Sequence, residues 1–340
     1  MLIEELTNLN GVSGDEGEIR AFIRSQLELY ADEIITDTIG NLIALKKGDG
    51  QKRIMLSAHM DEVGFIVSGI TDKGFIEFKT VGGIDTRVII SKKVVIGKNK
   101  VKGVIGMKAI HLQKRSERES VPRVRDIFID IGAKDKKTAE EKVKLGDYIA
   151  FDTQFEMLGE DTVKAKAIDD RAGCAILLEL IKKPVKYDTY FCFTTQEEVG
   201  LRGARVAAHR INPDIALVLE ATTCSDVYGF DEHEYVTSMG EGAVVTFMDR
   251  TTIVDKKLRS WLYDTAKNVG IPVQYKRTTA GGNDAGRIHL TRGGVKTASV
   301  SVPCRYLHSP CGLASLKDIK AACDVAEMFL SRIDEALGKE

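Results

Sequence analysis

The sequence lacks most of the features that would place it quickly. Nowhere do about 18 apolar residues run together, so no segment reads as a membrane-spanning helix. The opening stretch, MLIEELTNLNGVSGDEGEIR, carries acids early and has no apolar core segment. That argues against a secretory signal and for a cytoplasmic protein. Charge of one sign is missing too: 49 Lys and Arg face 50 Asp and Glu, a net charge of −1 at pH 7. A generic nucleic-acid or anionic-membrane binder needs a basic face, so neither partner is expected. The 6 cysteines, Cys174, Cys192, Cys224, Cys304, Cys311 and Cys323, are scattered and form no C-x-x-C pair. This excludes a zinc-thiolate site and fits reduced, buried thiols. There is one Trp, no internal repeat and no low-complexity tract.

What is present is an ordinary globular balance, 43% hydrophobic and 29% charged over 340 residues, enough for two domains or one large one. Ser13 is a candidate cap for a helix whose apolar positions include Ile19, Phe22, Ile23 and Leu27. Residues 34–45 read as two strands around Ile39-Gly40-Asn41, and RIMLSA (53–58) as a buried strand. From about Val63 to Thr162 the chain turns β-rich and Gly-punctuated, which predicts a small barrel or sandwich. Within it, HLQKRSERESVPRVR (111–125) reads as a solvated loop. After Thr162 strands alternate with helices, the pattern of a helix-covered, largely parallel sheet. The expected architecture is an α/β domain of residues 1–62 and 163–340, interrupted by a β-rich insert of residues 63–162.

In such sheets ligands gather at the carboxyl ends of the strands. RIMLSA leads into His59-Met60-Asp61, KAKAI into Asp169-Asp170-Arg171, and TYFCFTT into Glu197-Glu198. DIALVL ends at Glu220, and VKTASVSV leads to the loop holding His308. Each alone has a plain reading: a hydrogen-bonded histidine, an N-cap at Asp170, a solvated strand end at Glu220. Five together at one predicted edge point to a metal centre. Imidazole and carboxylate ligands suit zinc, cobalt or manganese, and their number suits two ions. Asp61, two residues beyond His59, can return to the same side of an extended chain and hold that ring from behind.

Taken in order, SAHMDEVG, KAIDDRAGC, TTQEEVGLRGA, GGNDAG and RYLHSP resemble the dinuclear metallo-aminopeptidases called tetrahedral, or TET, aminopeptidases. That family includes glutamyl and deblocking aminopeptidases and relatives long labelled endoglucanase. The resemblance covers essentially the whole chain. It implies an inserted PDZ-like or barrel-like dimerisation domain, and dimers joining into a hollow tetrahedral dodecamer that acts on short peptides. It implies two divalent ions, Zn or Co. Asp169 would bridge them, Glu198 and His308 would complete one site, and His59 and Glu220 the other. Glu197 would be the catalytic base and Asp61 would orient His59. Many members of the family have Asp where Glu220 stands and Thr where Asn283 stands; Glu remains a sound oxygen ligand. Related dipeptidases, carboxypeptidases and N-deacylases usually carry their extra domain late, whereas here the long gap lies early, between His59 and Asp169. A glycosidase would use two carboxylates without metal, leaving His59, Asp169 and His308 unexplained. For substrate preference, Arg202, Arg205 and Arg292 are candidate partners of an acidic side chain.

Overall fold

The computed structural model describes residues 1–338. At its centre four strands run parallel: Tyr187–Thr194, Gly50–His59, Ile215–Thr223 and Lys296–Arg305. Their sequences are continuous apolar runs because both faces are covered, as parallel sheets require. Alternate residues serve opposite layers. Ile54, Leu56, Phe191, Phe193, Leu217 and Leu219 pack toward helices Ile168–Leu180, Lys256–Asn268 and Leu316–Ser331. Met55, Cys192, Ala216 and Val218 pack toward helices Arg202–Ile211 and Ala285–Ile288.

Antiparallel strands extend this core into a mixed eleven-stranded sheet. Leu42–Lys46 and Glu33–Thr36 add to one side, and Gly312–Ser315, Thr162–Ala165 and Glu156–Leu158 to the other. Ala243–Val245 pairs with Lys296–Arg305 and with Val273–Tyr275. The α/β sheet expected from the alternation is therefore parallel in its middle and in the side pair of Ala243–Val245 with Val273–Tyr275, and antiparallel elsewhere.

The β-rich insert is a closed six-stranded barrel of Gly64–Ile70, Ile76–Val81, Ile127–Asp130, Val101–Met107, Lys93–Ile96 and Tyr148–Phe151. Closure leaves no unpaired edge, which a hundred residues of short strands need to stay soluble on their own. Phe65 anchors its separate core, edge-on to Phe78 at 4.9 Å and to Phe151 at 5.3 Å. The chain rejoins the large sheet at Glu156–Leu158, ahead of residue 162.

Several local expectations need correction. Ser13 does not cap the helix Gly17–Leu27; Glu16 occupies that position, and Ser13 is spent on Asp61. The strand holding Glu220 runs on to Thr223, so this residue lies inside the strand, not at its exit. The C-terminal helical pattern breaks at Arg332 into Leu316–Ser331 and Ile333–Leu337. The charged stretch 111–125 holds a short exposed helix, Arg115–Arg118. Among the described residues no helix is long and apolar enough to cross a membrane, and all six cysteines are unpaired.

Candidate metal centre

His59 is the last residue of its strand, with Thr194 of the neighbouring strand in register beside it. It is buried, and its Nδ1 lies 3.1 Å from the Asp61 main-chain carbonyl. A carbonyl only accepts, so Nδ1 carries a proton, and Nε2 faces inward. Nε2 is 3.0 Å from Asp169 Oδ1 and 3.3 Å from Glu220 Oε1. On the other side, His308 Nε2 is 3.4 Å from Asp169 Oδ2 and 3.3 Å from Glu198 Oε2. Two groups of three side chains result, His59–Asp169–Glu220 and Asp169–Glu198–His308, each with ligand atoms within 4.8 Å of one another. Asp169 belongs to both and offers one oxygen to each. Glu197 lines the same cleft but is in neither group.

The two adjacent acid pairs are separated by backbone geometry. Ala167 is left-handed (φ 53°), and Asp169 and Asp170 have non-helical angles at the start of Ile168–Leu180. Asp170 turns back and accepts from the Gly173 amide at 2.8 Å, which makes it a cap and leaves Asp169 to face the centre. A Cβ at Gly173 would stand 2.4 Å from Asp170 Oδ2, so this close turn needs glycine. On a regular strand Glu197 and Glu198 would point to opposite faces. Gln196 (φ 56°) ends that alternation. The amides of Glu197 and Glu198 then both donate to the Asp61 carboxylate, at 3.0 and 3.2 Å.

Asp61 therefore has a wider task than the sequence suggests. Its carboxylate is 3.5 Å from His59 Nδ1, farther than its own carbonyl. Its short bonds go to the Glu197–Glu198 turn and to Ser13 Oγ, which donates at 2.6 Å. Burial would raise its pKa, but the bonds from His59, Ser13 and the Glu197 amide outweigh burial and hold it below the usual carboxylate range.

The electrostatics are those of a centre short of positive charge. Burial and the charge of Asp169 push Glu198 up to about 8. Burial likewise drives Glu197 and Glu220 well above the carboxylate range. Burial opposes protonation of His308, yet its bond to Asp169 and the charge of Glu198 raise it to about 9. Asp169 is driven down despite burial because both imidazoles donate to it. Glu198 Oε1 is buried without any hydrogen-bond partner. Protons and imidazolium charge are doing what divalent cations do in such sites. The donor set, two imidazoles and three carboxylates with an orphaned buried oxygen, fits metal. No thiol joins it; Cys174 Sγ donates to the His59 carbonyl at 3.2 Å.

Sequence reasoning missed the support beneath the centre. Lys166 and Glu62, each 2% exposed, pair at 2.6 and 2.8 Å, and Lys166 also donates to the Leu9 carbonyl at 2.8 Å. Glu62 Oε1 accepts from the Gly11 amide at 2.9 Å. Arg171 reaches the Leu6 carbonyl at 2.5 Å and lies 3.7 Å from Glu62. This buried cluster ties the N-terminal segment to both the Asp61 and the Asp169 turns. Its only signal was charge flanking the ligands, Glu62 after Asp61 and Lys166 and Arg171 around Asp169. Asn283 is buried; its Oδ1 accepts from the Ala285 amide at 3.0 Å and from Ser299 Oγ at 3.3 Å. The next residue, Asp284, accepts from Thr194 Oγ1 at 2.5 Å.

The centre opens into a cleft of about 670 Å³. Arg202, Arg205 and Arg292 do not line it. Arg202 bonds the Gln196 side chain at 3.2 Å, and Arg205 and Arg292 line a separate surface depression.

Residues 40–325 match the family model described as M42 glutamyl aminopeptidase. A protein of Acetivibrio thermocellus is 42% identical over 323 residues, covering 94% of this chain and 95% of its own. The lysyl aminopeptidase of Pyrococcus furiosus is 32% identical over 342 residues, covering 98% and 96%. Among solved structures, the TET aminopeptidase of the marine sediment archaeon Thaumarchaeota archaeon SCGC AB-539-E09 superimposes with a TM-score of 0.95 at 38% identity, covering 99% and 97%. The TET1 peptidase of Pyrococcus horikoshii, which can assemble into a tetrahedron or a large octahedral shell, gives 0.85 at 34% identity, covering 96% and 98%.

Proposed function

The chain belongs to the M42 glutamyl aminopeptidase family, and on that footing we propose that it is a metal-dependent aminopeptidase that releases N-terminal residues from short peptides. The observation that carries this reading is the pair of ligand groups sharing Asp169 beside an uncommitted Glu197.

His59 and Glu220 would hold one divalent ion and Glu198 and His308 the other, with Asp169 shared by both groups; zinc and cobalt both suit these ligands. When bound, the ions supply a low-pKa water and polarise the scissile carbonyl. Glu197 takes the proton of the attacking water and returns it to the leaving amine. Its burial keeps its basicity high enough for that exchange. Asp61 fixes the two amides of the Glu197–Glu198 turn, so base and ligand keep a constant spacing. Ser13 holds Asp61 in turn.

The barrel within residues 63–162 serves as the dimerisation domain, and residues 1–62 and 163–340 as the catalytic domain. Dimers build a tetrahedral dodecamer whose enclosed sites admit peptides. Unpaired cysteines, all buried but Cys311, are in keeping with the reducing cytoplasm.

The test is a panel of short peptides, free and N-acetylated, incubated with zinc or cobalt and with a chelator control. Metal-dependent release of single residues from free N-termini is expected. Cleavage restricted to acylated or C-terminal positions assigns the chain to the deacylase or carboxypeptidase chemistry instead.

A further inference from the structure

The turn that carries Glu197 and Glu198 is held by side chains from far away in the sequence. Pairing with the neighbouring strand ends at Thr194. The next four amides are all taken by side chains. Thr195 donates to Asn41 Oδ1 at 3.0 Å, Gln196 to Glu16 Oε1 at 3.3 Å, and Glu197 and Glu198 to Asp61 at 3.0 and 3.2 Å. All three acceptors come from the N-terminal part of the chain.

Two of them have plain reasons to be there. Asp61 lies just beyond His59 at the same strand exit, and Asn41 precedes the strand Leu42–Lys46, which pairs with Tyr187–Thr194. Glu16 has no such reason. It comes from a separate segment at the start of the helix Gly17–Leu27 and is 3% exposed. Its Oε1 also accepts from the Gly14 amide at 2.7 Å. Burial raises its pKa against that bond, and the charge of Asp61 adds to the rise. A second buried carboxylate beside Asp61 is unfavourable for folding. What it provides is a fixed acceptor under Gln196.

Gln196 is where the turn needs one. Its φ of 56° is left-handed, a conformation a residue with a side chain keeps only when its surroundings hold it there. This one residue breaks the strand alternation and brings Glu197 and Glu198 to one centre. On the far side the Arg202 amide donates to the Gln196 carbonyl at 3.2 Å, and the Gly203 amide to the Thr195 carbonyl at 3.0 Å. Glu16 is itself anchored. The Ser13 amide donates to the Glu62 carbonyl at 3.2 Å, the Glu62 amide to the Gly11 carbonyl at 2.9 Å, and the Asp15 amide to the Val12 carbonyl at 2.7 Å. The acceptor is thus in place independently of the turn it holds.

We propose that Glu16 is a positioning residue for the catalytic turn: by accepting the Gln196 amide it fixes the left-handed residue that aims Glu197 at the cleft and Glu198 at the metal centre. It touches no reacting atom and acts through Gln196. This rests on the reading of Glu197 as the base. What matters at position 16 is an oxygen acceptor in a fixed place, so the role belongs to the side chain's geometry and survives loss of its charge.

The experiment compares wild type with Glu16→Met, which keeps the length and removes the acceptor, and with Glu16→Gln, which keeps an oxygen acceptor without the charge. Glu16→Leu is a second variant without an acceptor, should Glu16→Met fail to fold. For each, kcat and KM are measured with zinc on a short peptide with a free N-terminus, and metal content by elemental analysis. Thermal unfolding and hydrogen exchange over residues 195–198 are measured on the same samples. In Glu16→Met kcat is expected to fall about ten- to a hundredfold, the scale of a small misplacement of a catalytic group, with KM and metal content near wild type. Exchange over 195–198 should quicken about tenfold, the scale of one lost hydrogen bond. Glu16→Gln should recover most of both, which a role through charge would not allow. Unchanged kcat in the variants without an acceptor overturns the proposal. So does a loss that Glu16→Gln fails to restore, or one that only follows loss of metal or of the fold. If wild type cleaves no peptide with zinc or cobalt, the aminopeptidase reading fails. Faster exchange in Glu16→Met, reversed in Glu16→Gln, then still assigns the turn to Glu16, and unchanged exchange overturns that as well.

Discussion

Replacing Lys166 by Met tests whether the buried cluster under the metal centre holds the catalytic turns together. Met keeps the length and removes the charge. Lys166 and Glu62 are each 2% exposed and meet at 2.6 Å, so the substitution strands a carboxylate without solvent. Arg171 is the one cation left nearby, at 3.7 Å from Glu62, too far for a good bond without movement. Breaking a buried pair on one side costs about 3–5 kcal/mol. Unfolding entropy of roughly 2.1 cal/mol/K per residue over 340 residues turns that into a melting shift of about 4–7 °C. The assay is thermal unfolding at fixed protein and metal concentration for wild type, Lys166→Met, Glu62→Leu and the double variant. The double variant removes both charges and should recover much of the loss, since an apolar pair of similar volume is often no worse than a buried ion pair. The same turn carries Asp169, so metal affinity should fall about ten- to a hundredfold in the single variants. Single-variant shifts below about 1 °C, or a double variant that simply adds the two losses, would refute the reasoning.

Other expectations follow from the same geometry. Glu197→Gln should bind two metal ions per chain by elemental analysis while kcat drops about 10²–10⁴-fold, the usual share of a general base; near-normal turnover would remove Glu197 from that role. Asp318 accepts from the Gly240 and Gly242 amides at 2.6 and 2.8 Å, and burial lifts its pKa from 3.8 to about 6. The folded chain thus holds this proton to higher pH than the unfolded chain. Its contribution must fall as pH rises from about 4 to about 6, by at most about 3 kcal/mol at roughly 1.4 kcal/mol per unit. Asp318→Asn should flatten that part of the stability–pH curve, and an unchanged slope in denaturant midpoints would assign it to other groups. Light scattering of the metal-loaded protein should give about twelve times the 37.4 kDa chain mass; a dimer that persists under saturating metal contradicts the closed assembly.

Much of this molecule was readable before any coordinates, because the signals were local. Apolar runs with both faces buried announce parallel strands, and dense turns with short strands announce a closed β unit. The polar residues that follow those runs could be named one by one, since the edge of a parallel sheet is where its strands all end. His59, Glu220 and His308, and the pairs Asp169-Asp170 and Glu197-Glu198, were read that way from five separate stretches, and the resemblance to the TET aminopeptidases singled out Asp169 and Glu198 within the pairs. What the sequence could not show is which neighbour each polar group spends itself on. Ser13 has the look of a helix cap, yet folding places it against Asp61, 48 positions away. Asp61 looks like the partner of one histidine, yet most of its bonding goes to the Glu197–Glu198 amides. The same limit applies to charge. Arg202, Arg205 and Arg292 lie near the motifs along the chain, but helix and sheet geometry turn them away from the cleft, while Lys276 enters it from a strand added at the side of the sheet. Periodicity and residue type are properties of short segments and survive in the sequence. Hydrogen-bond partners, buried ion pairs and the sign of a pocket's charge arise only when distant segments meet, and only the tertiary structure decides them.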